Sequence, residues 1–193
     1  KNNKHGKLTS DKLKEIVNIQ FGYYGKPSKE GLVPYLQAKH FNEFGQYAEE
    51  DSVFLEEDDK VRSQFLRNGD VLFVAKGFRF FAAVYNEGFG KAVASSIFFI
   101  LRVDETKVIP EYLSSVLNLP KNLLHFQQSA SGSSIPSIRK SELEDFIFNL
   151  IPIDDQKKVV ALQKLHFKDI QITESLIKEK QKLFQTTISK IIK

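Results

Sequence analysis

The chain of 193 residues is 41% apolar and 12% aromatic, with 17 Phe, which supports a packed core and excludes global disorder. Its net charge of +4 and pI near 9.1 permit a nucleic-acid partner without requiring one, and the absence of Cys excludes disulfides and thiolate metal sites. No apolar run approaches the roughly 20 residues of a membrane helix, and the polar, basic start KNNKHGKLTS is not a signal peptide, so a cytoplasmic protein without a membrane role is expected.

The first hundred residues read mostly as β. Residues 16–21 (IVNIQF) alternate apolar and polar and end at Gly22. Residues 33–41 follow a loop holding Gly25, Pro27 and Gly31. The acidic stretch 49–59 reads as a solvated loop. Asn68, Gly69 and Asp70 signal a turn, with strands at 71–75 and 80–85 behind it. Gly88 and Gly90 make another turn, and residues 94–103 form a long apolar strand, expected to be central and buried on both faces.

Helical spacing begins at Pro110, which suits a helix start, with Tyr112, Leu113, Val116 and Leu117 on one side. Pro120 opens a second short helix carrying Leu123, Leu124 and Phe126. A polar loop, SASGSSIPSI, leads to a helical turn over 139–145 and a short strand over 146–151, closed by Pro152. Residues 154–193 contain neither Gly nor Pro, and Asp154 or Asp155 is the expected N-cap. Ile170, Ile177, Phe184 and Ile191 recur every seven residues, and Leu162, Leu165, Ile172, Leu176 and Leu183 form a neighbouring stripe. A helix of this length spans roughly 60 Å, too far to lie within one small domain. The plainer reading folds it back on its own domain. Pairing with another long helix buries more of the stripe, in a wide, bundle-like contact, because Thr173, Lys180 and Thr187 interrupt a second apolar row. The expected fold is thus α+β: a β-rich globular domain with short helices over 1–153, then one long helix over 154–193.

Catalytic signatures are missing. The four His are scattered without ligand spacing, and no Ser sits in a nucleophile elbow. Gly88-Phe89-Gly90 lacks the third Gly and the helix of a dinucleotide loop. Glu105-Thr106-Lys107 and Asp58-Asp59-Lys60 lack a partner acid for a metal nuclease. No enzyme, metal site or cofactor is expected.

The order of segments resembles half of a type I restriction–modification specificity subunit, the S subunit or HsdS. The matching stretches are IVNIQFG (16–22), VPYLQAKHF (33–41), LRNGDVLFVAKG (66–77) and, most specifically, SASGSSIPSIRKSELEDFIFNLIPIDDQKKVVAL (129–162). The resemblance implies a target recognition domain followed by a conserved-region helix, the helix acting as a ruler between two domains that each read half of a split DNA sequence. It implies no catalysis by the chain itself. It implies docking to modification (methyltransferase) subunits, which bring S-adenosylmethionine, and beyond them to the restriction subunit. Only one domain and one helix are present here, so the chain is expected either to form a homodimer or to pair with a second half.

DNA contact needs cations and amides for phosphates, and Arg, Lys, Gln, Asn or Ser for base edges. The candidates sit at turns. Gln37 and Lys39 are expected to share a strand face with Tyr35. Lys76 and Arg79 flank Gly77, and Lys91 follows the Gly88–Gly90 turn. Ser131, Ser133 and Ser134 offer hydroxyls and amides, with Arg139 and Lys140 close behind. For each cation the plainer reading is a solvated surface charge, and for the Gly/Ser loop a simple turn ordered by Pro136. The competing function is a protein–protein adaptor with no DNA role, which the acidic 49–59 stretch favours.

Overall fold

The computed structural model describes residues 9–42, 44–47, 52–86, 88, 90–130 and 134–192. In chain order its elements are β1 (Thr9–Lys12), β2 (Val17–Phe21), β3 (Val33–Leu36), β4 (Phe54–Leu55), α1 (Asp59–Arg62), β5 (Val71–Val74), β6 (Ala82–Val84), β7 (Val93–Ala94), β8 (Phe98–Val103), α2 (Pro110–Leu117), α3 (Pro120–Ser129), α4 (Lys140–Glu144), β9 (Ile147–Leu150) and α5 (Ile153–Ile191). The fold is α+β with a long C-terminal helix.

The main sheet has the order β2-β8-β5-β6, all antiparallel, with Phe73 opposite Phe99 and Ile19 opposite Leu101. Successive side chains of a strand point to opposite faces. Val71 and Phe73 of β5 therefore enter one core with Leu113, Leu117, Phe126 and Leu143, while Leu72 and Val74 enter another with Phe41, Phe81 and Phe98. Both faces of the sheet are thus covered, and Phe98, Phe99, Ile100 and Leu101 of β8 are all buried. Five Phe (73, 81, 98, 126 and 148) are fully buried, and each such ring contributes about 1.5–3 kcal/mol through removal from water. A smaller sheet, β4-β3-β7, packs Val33, Tyr35, Leu55, Val61 and Val93 together, and β1 pairs with β9.

Five expectations are corrected. The 33–41 stretch is not one strand: it leaves β3 at Leu36 and closes a 3-10 turn over Ala38–His40, where the Gln37 amide donates to His40 Nδ1 at 3.1 Å. Tyr35 is buried, its hydroxyl donating to the Tyr23 carbonyl at 2.8 Å, so it shares no exposed face with Gln37 and Lys39. The 94–103 run breaks at a turn closed by the Phe98 amide on the Ser95 carbonyl, which sends β7 to pair in parallel with β3. The acidic stretch is partly ordered: residues 49–51 lie outside the described residues, but β4 pairs with β3, and Asp58 caps α1 by accepting from the Val61 amide at 2.7 Å. Finally, α5 begins at Ile153 with Pro152 as its N-cap. The Pro152 carbonyl accepts from the Asp155 and Gln156 amides, placing Asp154 and Asp155 inside the first turn. There they face the positive end of the helix dipole and pair with Lys157 and Lys158. The expected turn at Gly88–Gly90 includes Phe89, which lies outside the described residues.

Candidate nucleic-acid interface

Strand direction decides which loops meet. β2 and β5 each run antiparallel to β8, which lies between them, so their C-terminal ends emerge at the same end of the sheet, roughly 10 Å apart. Phe21 closes β2 there, and Lys76 to Arg79 follow β5. Gly22 allows the chain to turn at this point, because a Cβ on it would lie 2.0 Å from the Ser95 carbonyl oxygen.

The tail of the Gly/Ser loop is laid against the same place. Lys76 bridges Ser137 in antiparallel fashion, the Gly77 amide donates to the Pro136 carbonyl at 2.9 Å, and the Ile138 amide donates to the Ala75 carbonyl at 2.8 Å. Gly77 takes φ +134°, a conformation that favours glycine. Ser134 and Ile135 remain exposed ahead of this pairing, while Ser131 and Ser133 lie outside the described residues.

Arg79 binds within the chain. Its Nη2 donates to the carbonyls of Ala38 (3.1 Å) and Phe41 (2.8 Å), and its guanidinium sits 4.9 Å from the centre of the Phe81 ring. It thereby fastens the turn carrying Gln37 and Lys39 to the loop carrying Lys76. Lys140 Nζ lies 5.9 Å from the Phe21 ring centre and 3.5 Å from Glu144, and Arg139 is exposed at the start of α4, its amide donating to Glu142. The end of α4 is held by Asp145, whose carboxyl lies below the usual carboxylate range because Lys12 and Lys14 donate to it.

The sheet end thus gathers Gln37, Lys39, Lys76, Arg79, Ser134, Arg139 and Lys140. Lys91 is not among them. It lies beside the start of β5, its ammonium 5.6 Å from the Phe65 ring centre, along a cleft shared with Arg67, Asn68 and Tyr85. Nearby, the buried Asp70 carboxylate binds the Arg102 guanidinium through Nε at 2.9 Å and accepts from the Arg67 amide, fixing the Gly69 turn. Three exposed rings at the sheet end, Phe21, Tyr24 and Phe78, escaped the reading of the sequence, which counted aromatics as core. The only local signals for them are a strand-final position, for Phe21, and the Gly77-Phe78-Arg79 sequence. Among the described residues no cluster of acids and His could hold a metal ion, and no helix is long and apolar enough to cross a membrane.

The long helix is fastened beyond the other end of β8. Gln156 is fully buried: its Oε1 accepts from the Ile109 amide at 2.9 Å, and its Nε2 donates to the carbonyls of Lys107 (2.9 Å) and Ile151 (2.8 Å). Val160 is buried, Ser115 donates to Gln163 at 2.6 Å, and Phe44 packs on Phe167 with ring centres 6.3 Å apart. From 168 to 192 no side chain is buried. Ile172, Leu176, Ile177, Leu183, Phe184 and Ile191 are all exposed, as are Leu162 and Leu165 nearer the root, and Ile170 is half-buried.

No protein-family model and no curated protein matches this sequence. Solved structures do. The type I restriction–modification S subunit from M. genitalium superposes with a TM-score of 0.63 at 13% identity, over 94% of this chain and 44% of that one. The HsdS subunit from Thermoanaerobacter tengcongensis gives 0.63 at 15% identity, over 91% and 46%. A structure described as the basis of complex assembly and conformational transition of the type I R-M system gives 0.64 at 17% identity, over 98% and 51%. The chain spans about half the length of these proteins. Its fold, globular domain and long helix together, is that of the type I restriction–modification S subunits.

Proposed function

We propose that the chain is a DNA-recognition unit of a type I restriction–modification system, with no catalytic chemistry of its own. Its sheet-end loops read one half of a split target. Its long helix pairs with a second such helix, from another copy or from a second half, and sets the distance to the other half-site. Modification subunits dock on the assembly and carry out methylation.

The observation that carries this reading is the separation of two surfaces. A basic, loop-built face lies at one end of β8, and the root of α5 is clamped beyond the other end, leaving a bare apolar stripe behind it. Cations and exposed amides suit phosphates and base edges, whereas an apolar stripe in water suits a helical partner.

The experiment is to combine the chain with its modification subunit and map the methylated positions on DNA. A fixed bipartite methylated sequence that appears only when the chain is present is the expected result. Methylation that is the same with and without the chain, or a modification subunit that does not bind it, would overturn the proposal.

A further inference from the structure

We propose that Phe78 is a wedge that enters a base step of duplex DNA, an inference that rests on the DNA-reading function proposed above. Phe78 is 79% exposed. Its loop is anchored on both sides: the Gly77 amide is bonded to the Pro136 carbonyl, and Arg79 is bonded to the carbonyls of Ala38 and Phe41. A ring between two fixed neighbours is held outward by the backbone and has little freedom to fold back onto the apolar surface.

Its surroundings suit a polyanion that also presents stacking faces. Lys76 stands on the far side of Gly77, and the strand beyond β8 ends in Phe21, 62% exposed beneath the Lys140 ammonium. Two acids on the neighbouring α4 are engaged within the chain, Glu142 by the Arg139 amide and Glu144 by Lys140. Apolar side chains inserted between base steps unstack them and kink the duplex, which brings flanking phosphates toward nearby cations. The cost of unstacking is lowest at pyrimidine–purine steps. The half-site read by this domain is therefore expected to contain such a step, selected by its deformability and not by hydrogen bonds to its edges.

The test uses the chain with its modification subunit. Bound duplexes are selected from a random pool, and 2-aminopurine is then placed at each position of the selected sequence. The wild-type protein is expected to raise fluorescence at one step. Phe78→Leu, which keeps an apolar wedge, retains the rise. Phe78→Ala abolishes it and weakens DNA affinity about tenfold or more, with an unchanged thermal unfolding midpoint, since the ring is exposed. Affinity of Phe78→Ala within twofold of wild type, or tight wild-type binding without any fluorescence rise, would overturn the wedge while leaving the DNA-reading function standing. Weakened capture of the modification subunit with DNA affinity intact would overturn it too, and would assign Phe78 to a protein contact. Recovery of no duplex at all would remove the function itself, and the wedge with it.

Discussion

Gln156 holds the helix to the domain through a single amide group. Its three hydrogen bonds, made from a fully buried side chain, satisfy one backbone donor and two carbonyls. Gln156→Leu leaves all three unpaired and is expected to cost about 3 kcal/mol, read from the denaturant midpoint; a change below about 0.5 kcal/mol would show that the clamp is dispensable. Asp70→Asn strands the Arg102 guanidinium beside a neutral amide at a buried site, with an expected loss of about 3 kcal/mol in the same measurement. Lys76 and Arg79 lie three residues apart and are expected to behave differently. Lys76→Ala is expected to leave stability unchanged and to reduce the salt dependence of DNA binding by about one phosphate contact. Arg79→Lys loses the geometry that reaches two carbonyls at once and is expected to cost about 1–2 kcal/mol of stability with the salt dependence intact. A sequence cannot separate two such residues. Both are cations within two residues of Gly77, and only the position of Ala38 and Phe41, some forty residues away, shows that Arg79 is committed inward.

At the scale of elements, what was legible follows from the range of the signal. The central strands were readable because runs such as VLFV and FFILRV are apolar on both faces, and two of the helices because Pro110 and Pro120 mark their starts. Two-residue strands such as β4 and β7 carry no periodicity and exist only through distant pairing with β3. The Gly/Ser loop was recognisable as a loop. Its attachment to Lys76 and Gly77 depends on a pairing sixty residues apart in sequence. In α5 the seven-residue repeat was plain, whereas the docked root was not, because polar Gln156 and Gln163 occupy the repeat's register there and Val160 lies off it. That root makes substitution a cleaner probe of pairing than truncation, since removal of residues 157–193 would take away Val160 from the core. Ile177→Lys combined with Phe184→Lys places two charges in the stripe, about half-exposed or more at both positions. Light scattering is expected to find that the chain self-associates and that the double variant does so at least about tenfold more weakly. Identical masses at every concentration would count against the stripe as a pairing surface between copies.

The whole molecule is a globular α+β domain with a projecting helix. Of the 39 residues of α5, the first turns are docked and the remainder extends free of the domain, over roughly 36 Å at 1.5 Å per residue. Such a rod fixes the position of a second domain only if its root is stiff, which is what the Gln156 clamp and the Phe44–Phe167 and Ser115–Gln163 contacts supply. The chain spans about half of the S subunits whose fold it shares, and the function proposed above makes it one reader of a pair. The alternative, an adaptor that touches only protein, differs from this account in its dependence on salt. The most direct measurement is therefore the affinity of the chain for its selected duplex by fluorescence anisotropy across a series of salt concentrations. Several lysine–phosphate contacts predict that log K falls with log salt at a slope of about −4, becoming shallower by about one in Lys76→Ala. A flat slope, or no binding at low salt, would contradict a DNA reader and leave the sheet-end face to a protein partner.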